Sequence, residues 1–320
     1  MFCAGAGLSC PGDLEGKTCK CAVVGYGSSF DMGKFHCECI RDTKGLDLVA
    51  VCDLNPERTK VAKKDFPWIS TYNDLGEMLE KQDVDLVTIV TPHNTYAPLA
   101  IQCLKAGKHV IVEKPMCITT AEATDMINEA KKKNLMLSVF HNRRYDGDFR
   151  ALKETVDKKT IGDVFHLEAF MGGYSSPGSW WRSSKEISGG AFYDWGSHLM
   201  DWVLNIIPER IVGVAGFFHK LVWKEVTNED QVEAVIRFLS GAVADVQLSN
   251  IASICKPRWR ILGTRGGIVS EPGRKYFKVV TFSDGKPVEK KVRFKKTIWP
   301  VYYRNIAVHL LRGAELKVKG

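Results

Sequence analysis

Hydrophobic and polar positions change rhythm once along the chain, near residue 142. Before it, short unbroken apolar runs alternate with segments of helical period. Cys21, Ala22, Val23 and Val24 make the first run, and 47–53, 84–90, 109–112 and 135–140 make the next four. Runs this short and this apolar read as strands buried on both faces. Between them, 33–41, 56–64, 97–105 and 120–133 read as helices, with Pro56 opening one and Gly107 closing another. Strand–helix alternation predicts parallel pairing with right-handed crossovers. The fold class is therefore α/β: a doubly wound, Rossmann-type domain over 19–142, with its binding crevice at the C-terminal ends of the strands. Residues 1–18, Gly-rich and broken by Cys10-Pro11-Gly12, read as an N-terminal tail.

After residue 142 the pattern changes. A helix is predicted over 151–159 and a strand over 164–170. A loop rich in Gly, Ser, Pro and Trp follows over 172–190, then a helix over 191–207 that Pro208 stops. Strand-like runs then recur at 211–217, 232–238, 243–248, 259–262, 268–269, 276–281 and 288–294, before a last helix at 301–312. This spacing predicts a second domain over 143–320, α+β, with a large open, mostly antiparallel sheet of about six to eight strands.

Composition narrows the class. The 320 residues are 45% hydrophobic and 26% charged, values of an ordinary globular protein. No apolar run is long enough to span a membrane, and no charged secretory start is seen, so the expected location is cytoplasmic. The net charge of +8 is concentrated: 256–296 holds 13 Lys/Arg against 3 Asp/Glu. Without a nucleic-acid motif, this reads as solvated strand edges rather than as a nucleic-acid surface. Ten cysteines include Cys19/Cys21 and Cys37/Cys39. The first pair faces one side of a strand. The second lies about 200° apart on a helix, so no metal is expected and most thiols read as small buried hydrophobes.

Candidate chemistry falls at several places along the chain. Gly25-Tyr26-Gly27 lies between a strand and a helix, where backbone N–H groups can approach a dinucleotide pyrophosphate. Ser28 and Phe30 belong to the same loop, and Gly33 is displaced from the usual spacing. Asp53 ends the next strand, placed to accept hydrogen bonds from adenosine ribose hydroxyls. It favours NAD over NADP, a preference that nearby Arg58 softens. Thr91, Pro92 and His93 follow the third run, at the crevice. Glu113-Lys114-Pro115 follows a later strand, and its lysine can favour an alkoxide-like transition state. Asp194 and His198 are four apart on a predicted helix, with Asp201 three further on. Such a histidine can take a hydroxyl proton, with His36, His93, His141 and His166 as rivals. Arg144, Trp181 and Arg182 are weaker candidates for a carbohydrate or anionic ligand.

These motifs, in this order, resemble the glucose–fructose oxidoreductase / inositol dehydrogenase family (Gfo/Idh/MocA). The matching segments are 22–27, 49–53, 91–92, 109–115, 142–145, 161–164 and 189–201. The resemblance implies an NAD(P)-dependent dehydrogenase acting on a sugar, polyol or cyclitol hydroxyl. It implies Lys114, Asp194 and His198 as the catalytic trio, with His198 the acid–base. It also implies a homodimer or homotetramer built through the second domain's sheet. Other uses of the fold are a glycosidase that retains its NAD and a non-catalytic nucleotide sensor. Three features depart from the pattern: the longer phosphate loop, Tyr96 where many members carry His, and an end at Gly320 where members usually continue with another helix.

Overall fold

A computed structural model of the chain describes residues 17–320. The expected tail lies almost wholly outside the described residues. The first elements are β1 (Cys19–Val24), α1 (Met32–Arg41), β2 (Leu46–Cys52), α2 (Pro56–Asp65), β3 (Ser70–Tyr72), α3 (Leu75–Lys81) and β4 (Leu86–Ile89). Then come α4 (Tyr96–Lys105), β5 (His109–Val112), α5 (Thr120–Lys133) and β6 (Leu137–Val139). The six strands form a parallel sheet in the order β3-β2-β1-β4-β5-β6. That order reverses direction at β1, which is the switch point of a doubly wound sheet. Helix starts follow their caps. Asn55 accepts from the Glu57 N–H ahead of α2, and Thr119 and Glu122 form a capping box at α5.

The second sheet has eight strands. Helix α6 (Gly147–Asp157) leads into β7 (Val164–Gly172). The short α7 (Lys185–Ser188) and α8 (Ser197–Ile206) follow. Strands β8 (Ile211–His219), β9 (Gln231–Phe238), β10 (Val243–Ser249), β11 (Trp259–Gly263), β12 (Gly266–Ser270), β13 (Tyr276–Ser283) and β14 (Lys286–Arg293) precede α9 (Val301–Arg312). Their order is β14-β13-β12-β11-β7-β10-β9-β8. Strand β10 runs parallel to β7 while the hairpin neighbours are antiparallel. Alternation is clean on β9 and β10: Val232, Ala234, Ile236, Ala244, Val246 and Leu248 are buried. Ile236, Ala244 and Val246 join Phe149 and Leu152 of α6, Trp202 of α8 and Trp259 of β11 in one core, while Val232 and Leu248 pack with Ala191 in a second, smaller cluster. Strand β14, at one edge, carries exposed Lys286, Lys290, Lys291 and Arg293, as the basic segment predicted.

By compactness the described chain divides into two units, 17–88 with 303–317, and 89–302 with 318–320. In the first, His36 Nδ1 lies 2.7 Å from the Tyr303 hydroxyl in the core, so His36 serves packing. Cys19, Cys21, Cys37, Cys39, Cys52 and Cys103 are buried, as small hydrophobes should be, while Cys117 is half-buried and Cys255 exposed. Two expectations shift. Helix α6 begins at Gly147 rather than near 151, because Asp146 and the turn before it supply the start. The helix expected over 191–207 is a π-helical turn, Phe192–Gly196, that runs into α8.

Candidate active site

The second unit brings Lys114, Asp194 and Arg182 together. Strand β5 is buried throughout its last three residues and delivers Glu113 and Lys114, both buried, at its C-terminal end. The Lys114 ammonium donates to Asp194 Oδ1. Arg182 Nη1 donates to the same oxygen at 2.7 Å. Asp194 rides on the π-helical turn, which is tied down on both sides. The Ala191 N–H donates to Glu229 at 3.0 Å, Glu229 also holds Lys185, and the Tyr193 hydroxyl donates to the Ile118 carbonyl at 2.7 Å. Burial works against the Asp194 charge, but Lys114 and Arg182 outweigh it and its carboxyl is held below the usual range. The site therefore keeps a permanent anion between two cations.

Three buried histidines surround this cluster. His198 lies among Trp195, His141 and Trp202, with ring centroids 5.6, 6.2 and 6.4 Å away. Its Nδ1 is buried with no hydrogen-bond partner among the described residues, and the same holds for His141 Nδ1 and His93 Nε2. Burial, then the nearby Lys114 charge, pushes the His198 pKa well below its ordinary value. Burial likewise lowers His141, and it lowers His93 to about 4. All three rings are neutral at neutral pH. A neutral imidazole with an unused nitrogen is a proton acceptor in waiting.

The weaker candidates sort themselves out. Arg144 forks onto Asp201, its Nε 3.0 and 2.9 Å from the two carboxylate oxygens. That pair fixes the turn after β6 to α8. Trp181 sets its edge on the His93 ring at 4.8 Å, and the Arg182 guanidinium lies over Trp181 at 4.9 Å. Trp181 and Arg182 thus belong to the cluster. His166 instead pairs with Glu168 on β7. Thr91 shares a hydrogen bond with Thr95 beside Pro92 and His93. Sequence reading missed the Ser188 carbonyl, which holds His93 and which no motif marks. Arg143, in the 142–145 segment that carries the resemblance, lies 4.8 Å from the Trp195 ring.

The expected nucleotide loop lies in the first unit. Helix α1 has Asp31 at its N-cap, but that side chain makes no cap bond and the first turn holds no acid, so no side chain caps its first N–H groups. Space opens beside the Gly27 Cα, where a Cβ would meet nothing within 4 Å. Gly33 performs the packing role of the displaced glycine, since a Cβ there would sit 2.4 Å from the Gly25 carbonyl. Asp53 accepts from the Tyr26 N–H at 2.7 Å and the Asn55 N–H at 2.9 Å. A carboxylate has about four acceptor sites, so capacity for ribose hydroxyls remains. Arg58 donates to Ser28 at 2.8 Å, and Phe30 is exposed. The Tyr26 ring turns inward, its hydroxyl donating to Asp65 at 2.8 Å. These features fit a nicotinamide dinucleotide.

Comparison with known proteins agrees with the geometry. Residues 19–141 match the family model described as oxidoreductase family, NAD-binding Rossmann fold, and 149–269 match the GFO/IDH/MocA C-terminal domain. A myo-inositol 2-dehydrogenase of Thermotoga maritima is 30% identical over 83% of this chain and 79% of its own length. An NADP(+)-dependent scyllo-inositol 2-dehydrogenase of Bacillus subtilis is 31% identical over 59% of this chain, and this chain spans 52% of it. An NAD-binding protein from Listeria innocua superposes with a TM-score of 0.84 at 28% identity, covering 95% of this chain and 90% of that one.

Proposed function

The chain belongs to the GFO/IDH/MocA family of NAD(P)-dependent oxidoreductases, and we propose that it oxidises a secondary hydroxyl of a cyclitol or similar polyol. The neutral, buried His198 beside the Lys114–Asp194–Arg182 cluster carries this reading. When bound, the oxidised nicotinamide supplies the hydride acceptor. His198 takes the hydroxyl proton. Lys114 faces the oxygen that gains negative charge and stabilises it in a site that burial keeps at low dielectric. Asp194 anchors Lys114 and orients the substrate. Gly25, Gly27, Ser28 and the start of α1 would hold the pyrophosphate, and Asp53 the adenosine ribose. Asp53 favours NAD; Arg58 and Ser28 leave room for NADP.

Residues 19–142 act as the nucleotide domain and 143–320 as the substrate domain. The second sheet exposes Phe165, Val214, Phe218 and Phe282, apolar surface that suits pairing with a second copy as a dimer or tetramer. The test is a fluorescence titration with NAD(H) and NADP(H), followed by a polyol panel read by NADH absorbance. Turnover on a cyclitol, lost in Lys114→Ala and His198→Ala, is the expected result. Tight binding without net turnover would instead favour the retained-cofactor glycosidase. Absence of nucleotide binding would overturn the reading.

A further inference from the structure

His93 sits in a short 3-10 turn after β4, and only 1% of it is exposed. Its Nδ1 lies 2.9 Å from the Ser188 carbonyl oxygen. A carbonyl oxygen only accepts, so Nδ1 carries the ring proton. Ser188 is itself fixed, its hydroxyl bonded to Asn228 and to the Gly190 N–H. The ring is held laterally by Trp181 and by Tyr96, 5.7 Å away. Burial keeps the imidazole neutral, and the Lys114 and Arg182 charges act in the same direction. In this tautomer Nε2 holds a lone pair and no proton. It is buried and has no partner among the described residues. A buried acceptor left unmatched is costly, so a group that supplies a donor there is favoured and one that supplies another acceptor is rejected.

Resting on the oxidoreductase reading, we propose that His93 is a specificity residue: a tautomer-locked acceptor for an N–H or O–H group of the bound ligand. The donor chemistry has two sources, the nicotinamide carboxamide and a substrate hydroxyl. The ring makes no claim on the reacting proton, which belongs to His198.

The experiment compares wild type with His93→Phe, which keeps the aromatic volume and removes both nitrogens. Dissociation constants are measured by fluorescence for NADH and for its reduced 3-acetylpyridine analogue, in which a methyl group replaces the carboxamide nitrogen. If the carboxamide is the donor, wild type prefers NADH by about tenfold and the variant by about twofold or less. If a hydroxyl is the donor, both proteins show the same cofactor preference. Wild type then discriminates between myo-inositol and one of its mono-deoxy derivatives by about tenfold in kcat/KM, and the variant does not. Equal discrimination by both proteins in both comparisons overturns the proposal. His93→Gln retains an acceptor and is expected to keep most of the preference, which covers the case of a misfolded Phe variant. 15N NMR of the ligand-free protein gives a readout independent of binding. A pyridine-type signal for His93 Nε2 is expected, and a protonated Nε2 overturns the proposal. A wild-type protein that binds no NADH overturns the oxidoreductase reading, and the proposal with it.

Discussion

Acidification should unfold this protein through the buried histidines of its candidate site. His93, His141 and His198 are buried and neutral, each with a pKa below the ordinary value of 6.5. The groups acting on them include Lys114, Arg143, Arg144 and Arg182, which disfavour a further positive charge. Asp194 favours it for His93, while Asp201 and Glu113 favour it for His141. The unfolded chain takes up protons near pH 6.5, while the folded chain resists until its own lower pKa. Their contribution to stability is thus full above 6.5. It drains as pH falls below that value and is gone once pH has passed the folded pKa. For His93 the gap runs from 6.5 to about 4. At ~1.36 kcal/mol per pH unit, this is about 3 kcal/mol from one ring. Three rings titrating together give a slope of up to ~4 kcal/mol per pH unit, against a total stability of ~5–15 kcal/mol. Urea unfolding at stepped pH values from neutral to 4.5 measures this directly. The expected result is a steep fall below pH 6.5, with His93→Phe shallower by about one proton. A stability that is flat or rising from pH 7 to pH 5 would refute the argument, because it would require the rings to be charged or solvated in the folded state.

Other perturbations separate catalysis from scaffold. Lys114→Met should lower kcat/KM by roughly 10²–10³, and move the acid limb of the pH profile upward, because His198 loses the charge that, after burial, depresses it most. An acid limb that stays in place would show that Lys114 does not act on His198. Asp201→Ala leaves the Arg144 guanidinium without its forked partner, with a loss of about 3 kcal/mol read as a lowered urea midpoint. Asp53→Ala should weaken NADH binding by about tenfold and NADPH binding by less, since only NADH presents both adenosine ribose hydroxyls.

Much of the fold was legible because its signals are local. Short apolar runs gave β1, β2, β4 and β5 within two or three residues at each end, and the last helix was read at its observed bounds, Val301–Arg312. β3 and α3 were missed for a physical reason. Ser70–Tyr72 is three residues long and only half-buried, so it carries no apolar run. α3 spans seven residues, two turns with two buried positions. At the site, the Gly25–Gly27 loop and the Glu113-Lys114-Pro115 turn follow strands, so the strand placed them. What could not be read was which partners share an atom. That Arg182 reaches the same Asp194 oxygen as Lys114, or that Ser188 fixes the His93 tautomer, depends on chain segments that meet only after folding.

The π-helical turn is the feature by which local sequence and site chemistry meet. Asp194 and His198 stand four apart, the spacing that puts two side chains on one face of an α-helix. The turn from Phe192 to Gly196 is wider than an α-turn, and it loosens the carbonyl ladder just where Asp194 sits. The Asp194 carbonyl accepts from the Ser197 hydroxyl at 2.7 Å and lies 3.4 Å from the Lys114 ammonium, which also holds the carboxylate. One residue thus offers the lysine two acceptors, which a single rotamer change cannot both remove. Gly196 protects the geometry: a Cβ there would lie 2.6 Å from Phe192 Cγ, at the base of the ring where a flip gives no relief. Gly196→Ala should therefore displace the turn. A shift of about 1 Å in Asp194 and Lys114 is enough for roughly a 10²-fold loss of kcat/KM, while overpacking costs the fold about 1–3 kcal/mol. Measured together, turnover should fall much further than the urea midpoint. Equal, small changes in both would mean that the turn is a packing accident and that an ordinary α-helix would position the carboxylate as well.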